Sequence, residues 1–236
     1  VERVCSAGAV PPVLAALEVH LRIREVQRTG LGALACLAKA AQRQIFSEGG
    51  IPIVLASMAK FKRDAPVQRA GAMVLGGICI SSQANRRSVA KYGGPALLMQ
   101  MLERHVGVAD VAISVIEALL LLHRNEPALC VSARSFADRL QVMIENQEEI
   151  LAAGRSAPKH ARECEAVLNA LRRLEALLSE APTAKDGRDT EDDEVASNAS
   201  TPREENLDQA VSTEARQALE LHQRLQRWNE KKMARG

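Results

Sequence analysis

The sequence of 236 residues has almost no aromatic side chains: one Trp, one Tyr and three Phe. A core without rings must be filled by Ala, Leu, Val, Ile and Met. Close-packed helices use those residues well, whereas aromatic-rich β-sandwiches do not. Long apolar runs are also missing. The longest candidate, around Ile116 to Leu122, is far below the ~18–20 residues a bilayer span needs, so no membrane insertion is expected. No basic leader, apolar stretch and cleavage site open the chain. Close cysteine pairs are absent too. Cys5, Cys36, Cys79, Cys130 and Cys164 lie at least 31 residues apart, which excludes CxxC and zinc-knuckle spacing. An odd count without pairs fits a reducing compartment, the cytoplasm, with the nucleus as the alternative. Cys36 and Cys79 stand in apolar segments and are expected to be buried thiols.

Catalytic signatures are missing as well. His20, His105, His123, His160 and His222 show no metal-ligand spacing. There is no phosphate-binding loop, dinucleotide fingerprint or nucleophile elbow. The expectation is no enzyme activity, no catalytic residue, no metal and no cofactor. Nucleic acid is disfavoured as a partner, because base stacking needs rings that the chain lacks.

What is present is a charge gradient and a repeat. Residues 1–91 carry 13 Lys/Arg against 5 Asp/Glu, net +8. Residues 181–200 carry 2 against 6, net −4, although the whole chain is only +2. A basic first part favours an acidic partner, and the acidic stretch competes for the same surface.

The repeat is read from Gly8-Ala9-Val10-Pro11-Pro12-Val13-Leu14 and Gly49-Gly50-Ile51-Pro52-Ile53-Val54-Leu55, 41 residues apart. Gly93-Gly94-Pro95-Ala96-Leu97-Leu98 follows at 44. Val26-Gln27-Arg28 recurs as Val67-Gln68-Arg69 at 41, and Val108 is taken as a third opening at another 41. The glycine and valine registers then disagree by three; a longer loop near Ser81–Asn85 and a shorter one near Val106 are invoked to reconcile them. Glycine ends one helix and proline suits the first turn of the next. Each unit therefore reads as a short, a medium and a long helix: Asn85–Lys91 for a short one, Pro11–Val19 and Pro52–Lys60 for medium ones, Val26 to about Ala40 and Val67 to about Ser81 for long ones. No unit buries its own apolar face, so neighbours must stack. Gly71, Gly76 and Gly77, inside a helical pattern, are expected to permit close packing.

These motifs, with Asn85-Arg86 ahead of the second short helix, resemble the armadillo repeat over about residues 1–125. The HEAT repeat is the close rival; the Gly-x-Ile-Pro element and the third helix favour armadillo. The resemblance implies an all-α fold, an armadillo-like right-handed α-solenoid of about three to four repeats over residues 1–180. Ala128–Phe136, Arg139–Ala153 and Pro158–Ser179 would form a degenerate last unit. Starting inside a short helix, the chain reads as the C-terminal part of a longer repeat protein.

The resemblance further implies a concave groove on the long helices, with positions two, six and ten after each opening Val facing it. Here these are Arg28, Gly32 and Cys36, then Arg69, Met73 and Gly77, then Asp110, Ser114 and Ala118. Importin-α-like members place Trp and Asn at the sixth and tenth positions to grip basic signals; this chain has neither there. Arg28 and Arg69, with Lys39, Arg43, Lys60, Lys62 and Arg63 nearby, suit an acidic or phosphorylated peptide, as in a β-catenin-like groove.

Residues 181–200 read as an acidic disordered linker. Residues 201–236 read as an amphipathic, coiled-coil-like helix, opened by the capping box Thr201-Pro202-Arg203-Glu204. Its seam includes Leu221, Leu225 and Trp228, a candidate tail contact, with helix pairing expected through residues 202–233. The functional expectation is a non-catalytic scaffold or adaptor binding an acidic protein or peptide. The alternatives are a structural component of a large cytoskeletal or ciliary assembly, or the regulatory repeats of a longer enzyme.

Overall fold

The computed structural model describes residues 8–124, 136–153 and 158–179. The acidic linker and the tail helix, including Leu221, Leu225 and Trp228, lie outside the described residues, as does nearly all of Ala128–Phe136. The described residues are all helical: α1 Val10–Val19, α2 Arg24–Leu37, α3 Gln42–Ser47, α4 Gly50–Lys60, α5 Ala65–Cys79, α6 Gln83–Lys91, α7 Gly94–His105, α8 Ala109–His123, α9 Ala137–Ala152 and α10 Pro158–Ser179. None is long and apolar enough to cross a membrane.

The helices begin and end where local chemistry dictates. Gly8, Gly49 and Gly93 all adopt positive φ, at 77°, 70° and 75°. Each turns the chain into a medium helix, a conformation that side chains with a Cβ adopt at a cost of ~1–2 kcal/mol. The second glycine of the pair has a separate reason. A Cβ on Gly50 would meet the Ile45 carbonyl oxygen at 2.8 Å, and one on Gly94 would meet that of Val89 at 2.8 Å. The short helix thus crosses directly over the start of the medium one.

The long helices start from extended residues, Ile23, Asp64 and Val108, each 15 residues after its glycine. Equivalent backbone bonds close the preceding corners: Ile23 N–H to His20 O at 2.9 Å, Asp64 N–H to Phe61 O at 2.9 Å, and Val108 N–H to His105 O at 2.8 Å. This overturns the expected valine register. Val108 matches Ile23 and Asp64, and Val111 is the residue equivalent to Val26 and Val67. Glycine and helix-start registers then agree at 41 and 44, and no compensating short loop near Val106 exists. The extra residues lie between α5 and Gly93, where α6 has 9 residues against 6 in α3.

The Val-Gln openings gain a structural role. Gln27 Nε2 donates to Leu17 O at 2.8 Å and His20 O at 3.0 Å; Gln68 Nε2 donates to Met58 O at 2.8 Å and Phe61 O at 2.9 Å. Each buried amide satisfies one last-turn carbonyl of the medium helix in front of it, and also bonds the corner carbonyl that accepts the N–H of Ile23 or Asp64. Asn85 and Arg86 do the same for the end of α5, donating to Ile78 O at 2.7 Å and Cys79 O at 2.9 Å.

Long helices pack in chain order: α2 on α5, α5 on α8, and α8 on α10, with α1, α4, α7 and α9 beside them. The core between them is Leu, Val, Ile, Ala and Met, and Phe136 is the one buried aromatic residue among the described residues. Small residues allow close approach where expected. A Cβ on Gly77 would meet Ala38 Cβ at 2.6 Å, and one on Gly71 would meet Met58 Cγ at 2.5 Å. Gly76 differs: its nearest neighbour, Ala118 Cα, would be 3.5 Å away, an ordinary contact. Cys79 is buried, and desolvation pushes its thiol up to about 12, so it is an inert core residue. Cys36, by contrast, is exposed. It lies one turn beyond Gly32 on the face of α2 opposite Leu34 and Leu37, so the apolar run around it misled the burial expectation.

Candidate functional site

The exposed faces of α2, α5 and the first turn of α8 border an open cavity of about 580 Å³. Its lining brings together six of the expected groove residues, Arg28, Gly32, Cys36, Arg69, Met73 and Asp110. The floor is apolar: Met73 and Val108 are 42% and 45% exposed. Gly32 has nothing within 4 Å of a hypothetical Cβ, so its missing side chain leaves the groove wide.

Three expected residues lie elsewhere. Gly77 is packed on Ala38, and Ser114 donates to Asp110 O at 2.8 Å on the flank of α8 without lining the cavity. Ala118 is buried beside Gly76. For Ser114 and Ala118 the corrected register explains this. Ile113, Glu117 and Leu121, not Asp110, Ser114 and Ala118, occupy on α8 the places that Arg28, Gly32 and Cys36 hold on α2. Asp110 still reaches the cavity because it is in the first turn, level with Pro66 of α5.

A second cavity, of about 450 Å³, adjoins the first through Arg28. It sits at the α4–α5 corner and is lined by Arg24, Arg28, Lys60, Lys62, Arg63 and Asp64, among others. Together the two cavities carry six cations, Arg24, Arg28, Lys60, Lys62, Arg63 and Arg69, against two acids, Asp64 and Asp110. Lys39 and Arg43, grouped with these in the sequence, line neither.

Asp64 organises the corner, and the sequence reading passed over it. Its Oδ1 accepts the Val67 N–H at 3.2 Å, capping α5. The same carboxylate holds Arg28 from Nε at 3.0 and 3.1 Å and from Nη2 at 2.8 Å, and Arg24 Nε lies 3.4 Å away. Burial alone would raise this carboxyl. The Arg28 hydrogen bonds, the Val67 N–H and the charges of Arg28 and Arg24 outweigh burial and hold it below its ordinary value. The Asp64 bond likewise raises Arg28. Arg28 is therefore a structural cation, also bound to Glu25 at 3.2 Å, rather than a free ligand-binding one. Lys60, Arg63 and Arg69 have no ion-pair partner among the described residues. A signal for Asp64 was present: Asp64-Ala65-Pro66 is an N-cap followed by proline in the first turn.

Among the described residues, no group of three or more His, Cys, Asp or Glu is placed to hold a metal ion. His160 lies 3.6 Å from Cys164 Sγ and 3.9 Å from Glu163 on α10, but Cys164 is buried. The arrangement at α2, α5 and α8 has the chemistry of a binding surface: an apolar floor, an open width and a cationic margin. No family model, curated protein or solved structure matches the chain.

Proposed function

We propose that this chain is a non-catalytic interaction module, an armadillo-type right-handed α-solenoid whose groove binds an extended acidic segment of a partner protein. The observation that carries the reading is the pair of joined cavities across α2, α5 and α8, with six cations against two acids around an apolar floor. Extended peptides dock in such grooves through apolar side chains on the floor and charge at the rim. Carboxylates bind Arg and Lys by charge-assisted bonds, and complementary charge speeds encounter.

Arg28 is a poor probe of this function, since reversing it breaks the Asp64 chelate. Lys60, Arg63 and Arg69 are better. The triple variant Lys60→Glu, Arg63→Glu, Arg69→Glu should weaken binding of a labelled Glu-rich dodecapeptide at least tenfold, about 1.4 kcal/mol, measured by fluorescence anisotropy. Gly32→Leu supplies the steric test: its Cβ meets nothing, so the fold should hold while the filled groove loses the peptide. Equal affinity for acidic and neutral peptides would remove the reading.

A further inference from the structure

We infer that the acidic stretch of this same chain, residues 186–194, occupies the basic groove in cis, so that a partner binds by displacing it. The inference rests on the groove being an acidic-segment site, and extends that reading to its regulation.

Three observations carry it. The first is charge. Asp186, Asp189, Glu191, Asp192, Asp193 and Glu194 against Arg188 give the segment net −5. The two cavities carry six cations and two acids, net +4. Within the groove, Asp64 is already committed to Arg28 and to the α5 cap, so Lys60, Arg63 and Arg69 lack a counterion among the described residues.

The second is reach. The described chain ends in α10 at Ser179, seven residues before Asp186 and twelve before Glu191. Twelve residues extend to about 40 Å. α10 packs on α8, and α8 on α5. Two helix-to-helix steps of about 8–10 Å each therefore separate α10 from α5, and a third reaches α2. The contour exceeds the roughly 24–30 Å of those three steps.

The third is convergence. Elsewhere Arg139 is held to Glu103 at 2.8 Å, Arg172 to Glu148 at 2.7 Å and Lys159 to Glu163 at 3.7 Å, while Lys39, Arg43 and Lys91 line neither cavity. The groove is where several cations converge without such partners.

A tethered segment competes as a local ligand. At an effective concentration of about 1 mM, a contact of about 0.2 mM affinity masks the groove about sixfold. The mask weakens with salt, because the groove is open to water.

The test uses the full 236-residue chain. Zero-length carbodiimide coupling at micromolar concentration, read by mass spectrometry on the monomer, should join carboxylates of 186–194 to Lys60 or Lys62. An equal mixture of isotopically light and heavy chains should give links within one chain only. A variant with Asp186, Asp189, Asp192 and Asp193 changed to Asn, and Glu191 and Glu194 to Gln, should bind the Glu-rich dodecapeptide about sixfold more tightly. The gap should close in high salt. Links to Lys39, Lys91 or Lys159 instead, mixed-isotope links, or no links at all overturn the inference. Intrachain links at Lys60 or Lys62 in a chain that binds no added peptide keep the cis contact and reject the partner reading. Peptide binding of equal strength in both variants, without links, does the reverse.

Discussion

The corner before α5 and the corner before α8 share one backbone and differ in chemistry. Both turn on an extended residue whose N–H bonds to the carbonyl three before it, at 2.9 Å for Asp64 and 2.8 Å for Val108. Asp64 caps its helix and gathers Arg24 and Arg28; Val108 caps nothing and stands exposed on the groove floor. The amides differ in the same way. Gln68 closes the α4 end, but the corresponding residue of α8 is Ala112, a buried methyl. His105 instead reaches back to Lys62 O at 2.8 Å, donating from Nε2 and tying the third corner to the second. Backbone geometry is repeated because the stacking of helices demands it. Side-chain chemistry is concentrated at one corner because only there do a buried carboxylate and a cluster of cations coincide.

The backbone half of that comparison breaks most severely at the crossing glycines. Gly94→Ala drives a Cβ into Val89 and its carbonyl oxygen and should cost about 3 kcal/mol. Thermal or urea unfolding measures it, with Gly32→Ala as the unstrained control.

Next come the amides. Gln27 has both ends satisfied, its Oε1 accepting from Ser57 Oγ at 2.5 Å. Gln68 Oε1 has no donor among the described residues, and the residue equivalent to Ser57 there is Met101, which has none to offer. Gln27→Leu should therefore cost about 2–3 kcal/mol, and Gln68→Leu about 1 kcal/mol less. Equal losses in urea denaturation would show that the orphan oxygen carries no penalty.

Asp64→Val makes the second corner like the third and should cost about 1–2 kcal/mol at neutral pH, from the cap alone. Because the native Asp64 carboxyl lies below its ordinary value of 3.8, its contribution is present in full above that value. It is lost as pH falls through the lower native value. The stability gap between wild type and Asp64→Val should stay constant from neutral pH to about 5 and close at more acid pH. A gap independent of pH would assign the effect to packing.

The smallest change runs in the opposite direction. Ile23 is 49% exposed at the same place before α2 and makes no cap. Ile23→Asp should raise the melting free energy by about 0.5–1 kcal/mol, reproducing the Asp64 cap one unit earlier.

Much of this architecture is written in local sequence. Glycine pairs, first-turn prolines and apolar spacing place α1, α2, α4, α5 and α6 within three residues at most of their ends, because caps and periodicity act over a few residues. The third unit was misread for a related reason. Val108 and Val111 are both valines near a helix start, and a fixed 41-residue spacing selects the wrong one. The backbone bond to His105 O, which identifies Val108 as the residue before the helix, is invisible in a string of letters. The groove was legible as a helix face but not as a charge distribution. Arg28 and Arg69 occupy equivalent positions in their repeats, yet one is chelated and the other is not.

The sequence by itself determined an all-helical chain, its period, its ring-free core of small and aliphatic residues, and the excess of positive charge in its first part. These follow from composition and short-range spacing, which survive without a fold. Tertiary structure alone decided which cations converge and which are already committed. Asp64 is 36 residues from Arg28 along the chain, and only the packing of α2 on α5 brings them within hydrogen-bonding distance. The same packing exposes Cys36, buries Gly77 against Ala38 and leaves Lys60, Arg63 and Arg69 facing one open groove. Such distances are set by helices far apart in sequence.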